Sequence, residues 1–331
     1  MNRQRAAIIG LAGTHLGAAE AKMLRETPPL GVILFARNVG RPAQLRTLTA
    51  AIRDILGEDA PILVDQEGGR VARLRAPDWP TFPPAAFFEG QPGPVALANA
   101  ALIGLECRAM GFDVVCAPVL DLRLPEAHGV IGDRAFSADP AEVARLGRET
   151  LLGLQSAGCV PVIKHIPGHG RALADSHLEL PRVQADREAL ARDCLPFAAL
   201  AGLGAWAMTA HILYEAIDAE LPATLSAKVI SRVIRGAIGF DGFLVSDDLA
   251  MKALEGRPAA LAQAAIAAGC DAVLHCTGDL EESAALLATC PMLSDAALAR
   301  LAAARSATQA QRAELDPAAL MAVRDAGLVA A

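Results

Sequence analysis

The stretch "KHIPGHGRALADSH", residues 164–177, places one lysine, three histidines, an arginine and an aspartate within fourteen positions. Its proline and two glycines exclude a single regular helix. Residue types alone leave several chemistries open. His165, His169 and His177 are potential metal ligands, although their spacing fits no helix and the first apolar run, ending "LAGTH", adds no paired histidines. Lys164 at a strand end is a potential Schiff-base nucleophile. Asp175 and His177 lie two apart and point the same way in extended or turn backbone. The carboxylate can then accept the imidazole N–H, fix its tautomer and stabilise its cation for acid–base work. A solvated loop with an incidental pair is the plain alternative. The stretch "VSDDLAM" (245–251) adds a carboxylate doublet. An aspartate held at a strand end can attack an electrophilic carbon, but either aspartate is also a good helix N-cap. We expect Asp247 to face the pocket and Asp248 to cap or support it.

Something must bring these groups together. Short apolar runs recur along the chain: 6–13, 31–36, 61–67, 113–121, 160–167, 205–212, 242–248 and 270–276. Continuous apolar runs suit strands covered on both faces, as in a parallel sheet. Between them lie helix-like stretches such as "RPAQLRTLTAAIRDIL", opened by an N1 proline and followed by glycine. Eight strand–helix units predict an α/β fold, a single (β/α)8 TIM barrel spanning residues 1–331 as one catalytic domain. A doubly wound open sheet is the alternative, weakened by the lack of a GxGxxG turn after the first strand. The segment 75–88, "RAPDWPTFPPAAFF", reads as an active-site loop insertion.

In a barrel of this kind catalytic groups sit at the C-terminal strand ends. Those ends carry Asp65, Gln66 and Glu67; Asp121; Lys164 and His165; His211; Asp247 and Asp248; and His275. Polar groups so close to apolar strands are costly to bury without partners, and convergence on one rim supplies them. For Asp121, His211 and His275, a purely structural place at the mouth is an equal alternative.

Composition narrows the partners. With 53% hydrophobic residues in 331, the chain can bury a large core, while a 4% aromatic share leaves the packing to Ala, Leu and Val. The net charge of −7 and the lack of a long Lys/Arg block argue against nucleic acid or an anionic membrane surface. The seven cysteines are odd in number, show no CxxC spacing and fall mostly in apolar runs, which suits buried free thiols in a reducing compartment. No stretch reaches the roughly 18 apolar residues of a membrane span. The start "MNRQRAAIIGLAG" imitates a signal peptide, but "AAIIGLAG" also has the form of a buried first strand, so a cytoplasmic protein is expected.

With these residues assembled, the chain resembles the family-3 glycoside hydrolases, in particular the bacterial β-N-acetylhexosaminidases of the NagZ type. The motifs are "LFARN" (34–38), "VDQEGGRVARL" (64–74), "KHIPGHGRALADSHLELP" (164–181), "MTAHILY" (208–214) and "VSDDLAM", in the family's order. The resemblance implies a retaining mechanism on terminal β-linked N-acetylglucosamine. It puts Asp247 at the nucleophile and His177 at the general acid/base, with Asp175 as its partner. Sugar binding would fall to Asp65, Arg73, Arg134, Lys164 and His165. No metal or other cofactor is implied; the expected partner is a small carbohydrate, with muropeptides of peptidoglycan recycling as the suggested source, and a monomer is expected. Ile166 stands where an aromatic residue is common in the family and touches no assigned role. A glycoside phosphorylase is the nearest alternative, since a histidine acid/base repels phosphate less than a carboxylate would; a Lys164 aldolase and a metal enzyme rank below it.

Overall fold

The computed structural model describes residues 4–125, 129–176 and 178–329. Eight parallel strands close into a barrel: β1 (Arg5–Gly10), β2 (Pro29–Leu34), β3 (Ile62–Val64), β4 (Val114–Val115), β5 (Val160–Ile166), β6 (Trp206–Thr209), β7 (Leu244–Asp248) and β8 (Ala272–His275). Each strand pairs with its neighbour in sequence, and β1 closes on β8 with Ala7 opposite Val273 and Ile9 opposite His275. The (β/α)8 expectation holds strand for strand. "AAIIGLAG" is the first barrel strand, and β2 and β5 are buried along their whole length because helices cover the outside while side chains fill the inside.

The covering helices are α1 (Ala18–Glu26), α2 (Pro42–Leu56), α3 (Gly93–Ala109), α4 (Pro140–Ser156), α5 (Arg187–Leu200), a wide-turned helical segment over Val229–Ala237, α6 (Pro258–Ala268) and α7 (Leu280–Thr289). Helix α2 shows why they form. Pro42 opens it, Leu45, Leu48, Thr49 and Ile52 bury one stripe at helical spacing, and Gly57 ends it at φ 94°. Each of those buried leucines contributes about 1.5–3 kcal/mol of burial. In α4, Pro140 follows an Asp139 cap whose carboxylate accepts the Ala141 N–H.

Two further helices use the segment after residue 280, where the sequence carried no motif. Helix α8 (Asp295–Gln311) packs on α4 and β5. Its Arg300 binds Asp241 and Asp271, which precede β7 and β8, at 3.0 and 2.9 Å. Helix α9 (Pro317–Val329) packs on α3, with Gly327 against Val95. The Arg300 contacts lie where β7 and β8 begin, at the end opposite the strand C-termini, while α9 runs along the outside of α3, and no described residue of either helix lines the cavity at the strand C-termini. Among the described residues no helix is long and apolar enough to cross a membrane. Six of the seven cysteines are buried, Cys194 is half-buried, and none is in a disulfide.

Candidate active site

The strand C-termini surround a cavity of about 300 Å³. Its wall includes Asp65, Glu67, Arg73, Arg134, Lys164, His165, Asp175, Asp247 and Asp248. Every proposed site residue within the described part of the chain is therefore at one place; His177 lies outside the described residues.

The loop after β3 supplies the largest share. Successive residues of extended backbone alternate, so Asp65 and Glu67 face the cavity while Gln66 turns into the protein. Gln66 is fully buried and ties the loop: its Oε1 accepts the Arg73 and Leu74 N–H groups at 2.7 and 3.0 Å, and its Nε2 donates to the Leu74 carbonyl at 3.0 Å. Gly68 and Gly69 make the turn at φ 101° and 55°, where an added Cβ on Gly68 would stand 2.3 Å from the Pro83 carbonyl. The segment 75–88, expected to line the site, does not reach the cavity. It braces the loop from behind, with Phe82 and Phe88 buried and the Phe82 carbonyl accepting the Gly69 N–H at 2.8 Å.

An ion network spans the cavity floor. Lys164 Nζ lies 2.9 Å from Asp65 Oδ1 and 2.6 Å from Glu67 Oε1. Arg73 Nη2 donates to Asp65 Oδ2 at 3.0 Å, and Arg134 grips Glu67 with two bonds of 2.8 Å. Burial alone would push both carboxyls up, but Lys164 and its arginine neighbours win: Asp65 is held far below the ordinary carboxylate value and Glu67 down to about 2. Burial likewise disfavours the Lys164 ammonium, yet Asp65 and Glu67 raise its pKa above that of an ordinary lysine. Lys164 is thus a fixed cation and hydrogen-bond donor. A Schiff-base nucleophile needs the opposite, a neutral amine, so the aldolase alternative loses its chemistry.

Asp121 organises the next wall. Fully buried, it meets His165 Nδ1 at 2.7 Å and accepts the backbone N–H groups of His165 and His169 at 3.1 and 2.6 Å. Its carboxylate oxygens therefore hold the His165 ring in the cavity and seat the start of the 168–176 loop. His169 is pushed down to about 4 by burial and by His165, so it is neutral at pH 7. Asp175 and Ser176, further along this loop, line the cavity.

The aspartate doublet separates as expected in its bonding, although both residues touch the cavity. Asp247 Oδ1 accepts the Asp248 N–H at 2.8 Å. Burial would raise the Asp247 carboxyl, but His165, His211, that N–H and Lys164 bring it below the ordinary value, leaving an anion in the cavity. Asp248 Oδ1 is occupied by the Ala250 and Cys276 N–H groups, each at 3.0 Å, and burial raises its pKa. His211 sits behind, with Nδ1 2.7 Å from the Thr224 hydroxyl and Nε2 3.0 Å from the Asp248 carbonyl. His275, buried and off the cavity, meets Thr277 at 3.1 Å. Asp121, His211 and His275 are thus structural or positioning groups.

Glu67 is the residue that sequence reasoning passed over. It stood in the strand-end set without a role, yet it joins Lys164 to Arg134. Its signal was the alternation Asp65–Gln66–Glu67, which puts two carboxylates on one face.

Residues 7–311 match the Glycosyl hydrolase family 3 N terminal domain, and the chain belongs to that family. It is 40% identical over 290 residues to a beta-hexosaminidase of Pseudomonas aeruginosa, covering 86% of each chain, and 44% identical over 279 residues to one of Alkalilimnicola ehrlichii, covering 81% of this chain and 80% of that one. Among solved structures it is similar to native NagZ from Neisseria gonorrhoeae, with TM-score 0.87, 30% identity and 98% of both chains covered. That protein was also solved in complex with N-trifluoroacetyl-D-glucosamine, and this form superposes at TM-score 0.86.

Proposed function

We propose that this protein is a retaining exo-β-N-acetylhexosaminidase that removes terminal N-acetylglucosamine through a covalent glycosyl–enzyme on Asp247. The observation that carries the reading is the Asp247 carboxylate, ionised and fixed in a cavity whose other groups are paired donors and acceptors suited to sugar hydroxyls. The beta-hexosaminidase relatives support it. Lys164, Arg73, Arg134 and His165 offer N–H donors, and Asp65 and Glu67 accept. Because these groups already hold one another, little reorganisation is needed when a sugar arrives.

In the first step Asp247 attacks the anomeric carbon while the leaving oxygen takes a proton; in the second, water gives up a proton and releases the sugar. His177, aided by Asp175, is assigned both proton transfers on the strength of its motif, and an imidazole near neutrality is suited to giving and then taking a proton. We place the whole chain in one catalytic domain acting as a monomer in the cytoplasm on N-acetylglucosamine-containing muropeptides. The test is to incubate the protein with an aryl N-acetyl-β-glucosaminide and follow the released sugar by NMR. First-formed β-anomer supports double displacement; first-formed α-anomer, or a sugar phosphate formed only with phosphate present, contradicts it.

A further inference from the structure

The motif "LFARN" contributes Phe35 to the cavity wall, but Arg37 does not reach it. Arg37 instead lies in the seam where β1 closes on β8. Its Nε donates to the Leu11 carbonyl at 2.8 Å, and its Nη2 donates to the Cys276 carbonyl. Asn38, fully buried, reinforces the same seam by donating to Leu11 and Gly13 at 3.0 and 2.8 Å. Gly10 is matched to this arrangement: an added Cβ would stand 2.6 Å from the Cys276 oxygen and 2.7 Å from Arg37 Nη2. Cys276 is thereby held from both sides, its oxygen by Arg37 and its N–H by Asp248 Oδ1 at 3.0 Å. Asp248 is in turn the residue whose N–H meets Asp247 Oδ1 at 2.8 Å.

We propose that Arg37 is a positioning residue: through Cys276 and Asp248 it fixes the N–H that orients the attacking carboxylate of Asp247. The proposal rests on the nucleophile assignment above. The chain of contacts runs from an exposed arginine, whose guanidinium donates into the seam, to one oxygen of the reacting group, and His211 closes it from the other side through the Asp248 carbonyl at 3.0 Å. A carboxylate oxygen held by one N–H leaves the other free to attack, and small misplacements of a nucleophile are costly. At this seam the first and last barrel strands pair, and Arg37 and Asn38 add side-chain bonds to their backbone ladder.

The experiment compares Arg37→Met, Arg37→Lys and Gly10→Ala with the unmodified protein. Gly10→Ala keeps the guanidinium and its charge but inserts a methyl where it meets the Cys276 carbonyl. Three readouts are taken: kcat on an aryl N-acetyl-β-glucosaminide, Kd for N-acetylglucosamine by calorimetry, and the pH profile of kcat/KM. Arg37→Met should lose at least about tenfold in kcat while Kd stays within about twofold, with Arg37→Lys in between and Gly10→Ala resembling Arg37→Met. The acid limb of kcat/KM should move to higher pH, because an Asp247 anion that loses a donor is easier to protonate. The titratable and charged groups facing Asp247 are His165, His211 and Lys164, with Asp248 beside it; Arg37 and His275 face Asp248. Burial keeps Cys116 and Cys276 as thiols. If Arg37→Met does not fold, Arg37→Lys and Gly10→Ala decide. Unchanged kcat and acid limb in the folded variants, or a kcat loss matched by loss of ligand binding, overturns the proposal. Asp247→Ala measured alongside separates the two claims: full turnover there removes the nucleophile, whereas normal Arg37 variants beside a dead Asp247→Ala remove only the strut.

Discussion

Lys164 Nζ lies 2.6 Å from Glu67 Oε1, and both side chains are almost sealed from solvent. Removing Glu67 strips the largely buried Arg134 of both its carboxylate bonds and leaves Lys164 with Asp65 alone, and a buried charge left without its partner is the expensive case. Glu67→Ala should therefore cost about 3–5 kcal/mol of stability and raise KM. Chemical denaturation and steady-state kinetics check this, and Glu67→Gln, which keeps an acceptor, should lose less on both.

The doublet gives a ranking. Asp247→Ala should abolish nearly all turnover, whereas Asp248→Ala should retain substantially more, since it breaks the link to the Ala250 and Cys276 N–H groups but keeps the attacking carboxylate. Rate measurements on the two variants test the split, and the reverse order would move the nucleophile by one residue.

Lys164 should fail to trap substrate under borohydride, because its ammonium is held charged by Asp65 and Glu67. A reduced adduct on the peptide containing Lys164, seen by mass spectrometry, would contradict that assignment.

Sequence carried most of this outcome, but unevenly. The eight apolar runs gave all eight strands because a parallel barrel buries both faces, and motif order brought Asp65, Lys164 and Asp247 to one rim. Partnering was less legible. Nothing local to Asp121 shows that it holds His165 and His169, since those contacts are made across strands. Arg37 at the β1–β8 seam is hidden for the same reason. The glycines of "KHIPGHG" are explained in the same way, by contacts made across elements. Gly168 is pressed against Asp193, where an added Cβ would lie 3.0 Å from its Cβ, and Gly170 against Leu122, where it would lie 2.3 Å from the carbonyl. Tyr214 also donates to the Gly168 carbonyl at 2.7 Å. Glycine is needed here for close packing of an anchored loop base.

It follows that Gly170→Val should lower both stability and turnover, where a hinge glycine would lower turnover alone. Thermal denaturation beside kinetics distinguishes them; an unchanged Tm would contradict the packing role.

His169 gives a pH signature. Its pKa falls from an ordinary 6.5 to about 4 in the folded protein, so the neutral ring contributes stability that is complete above pH 6.5 and lost as pH falls toward 4. The loss should approach about 3 kcal/mol. His169→Gln should flatten the stability profile across that window in denaturation experiments at stepped pH, and an undiminished slope would place the titration elsewhere.

The central claim, a glycosyl ester on Asp247, is most directly tested in His177→Ala with 2,4-dinitrophenyl N-acetyl-β-glucosaminide. This leaving group departs without protonation, so the first step should proceed while the second, deprived of its base, stalls. Intact-mass analysis should then show one N-acetylglucosaminyl residue added to the protein, and peptide mapping should place it on Asp247. An adduct on another residue, or a burst of dinitrophenol with no adduct at all, would contradict the account.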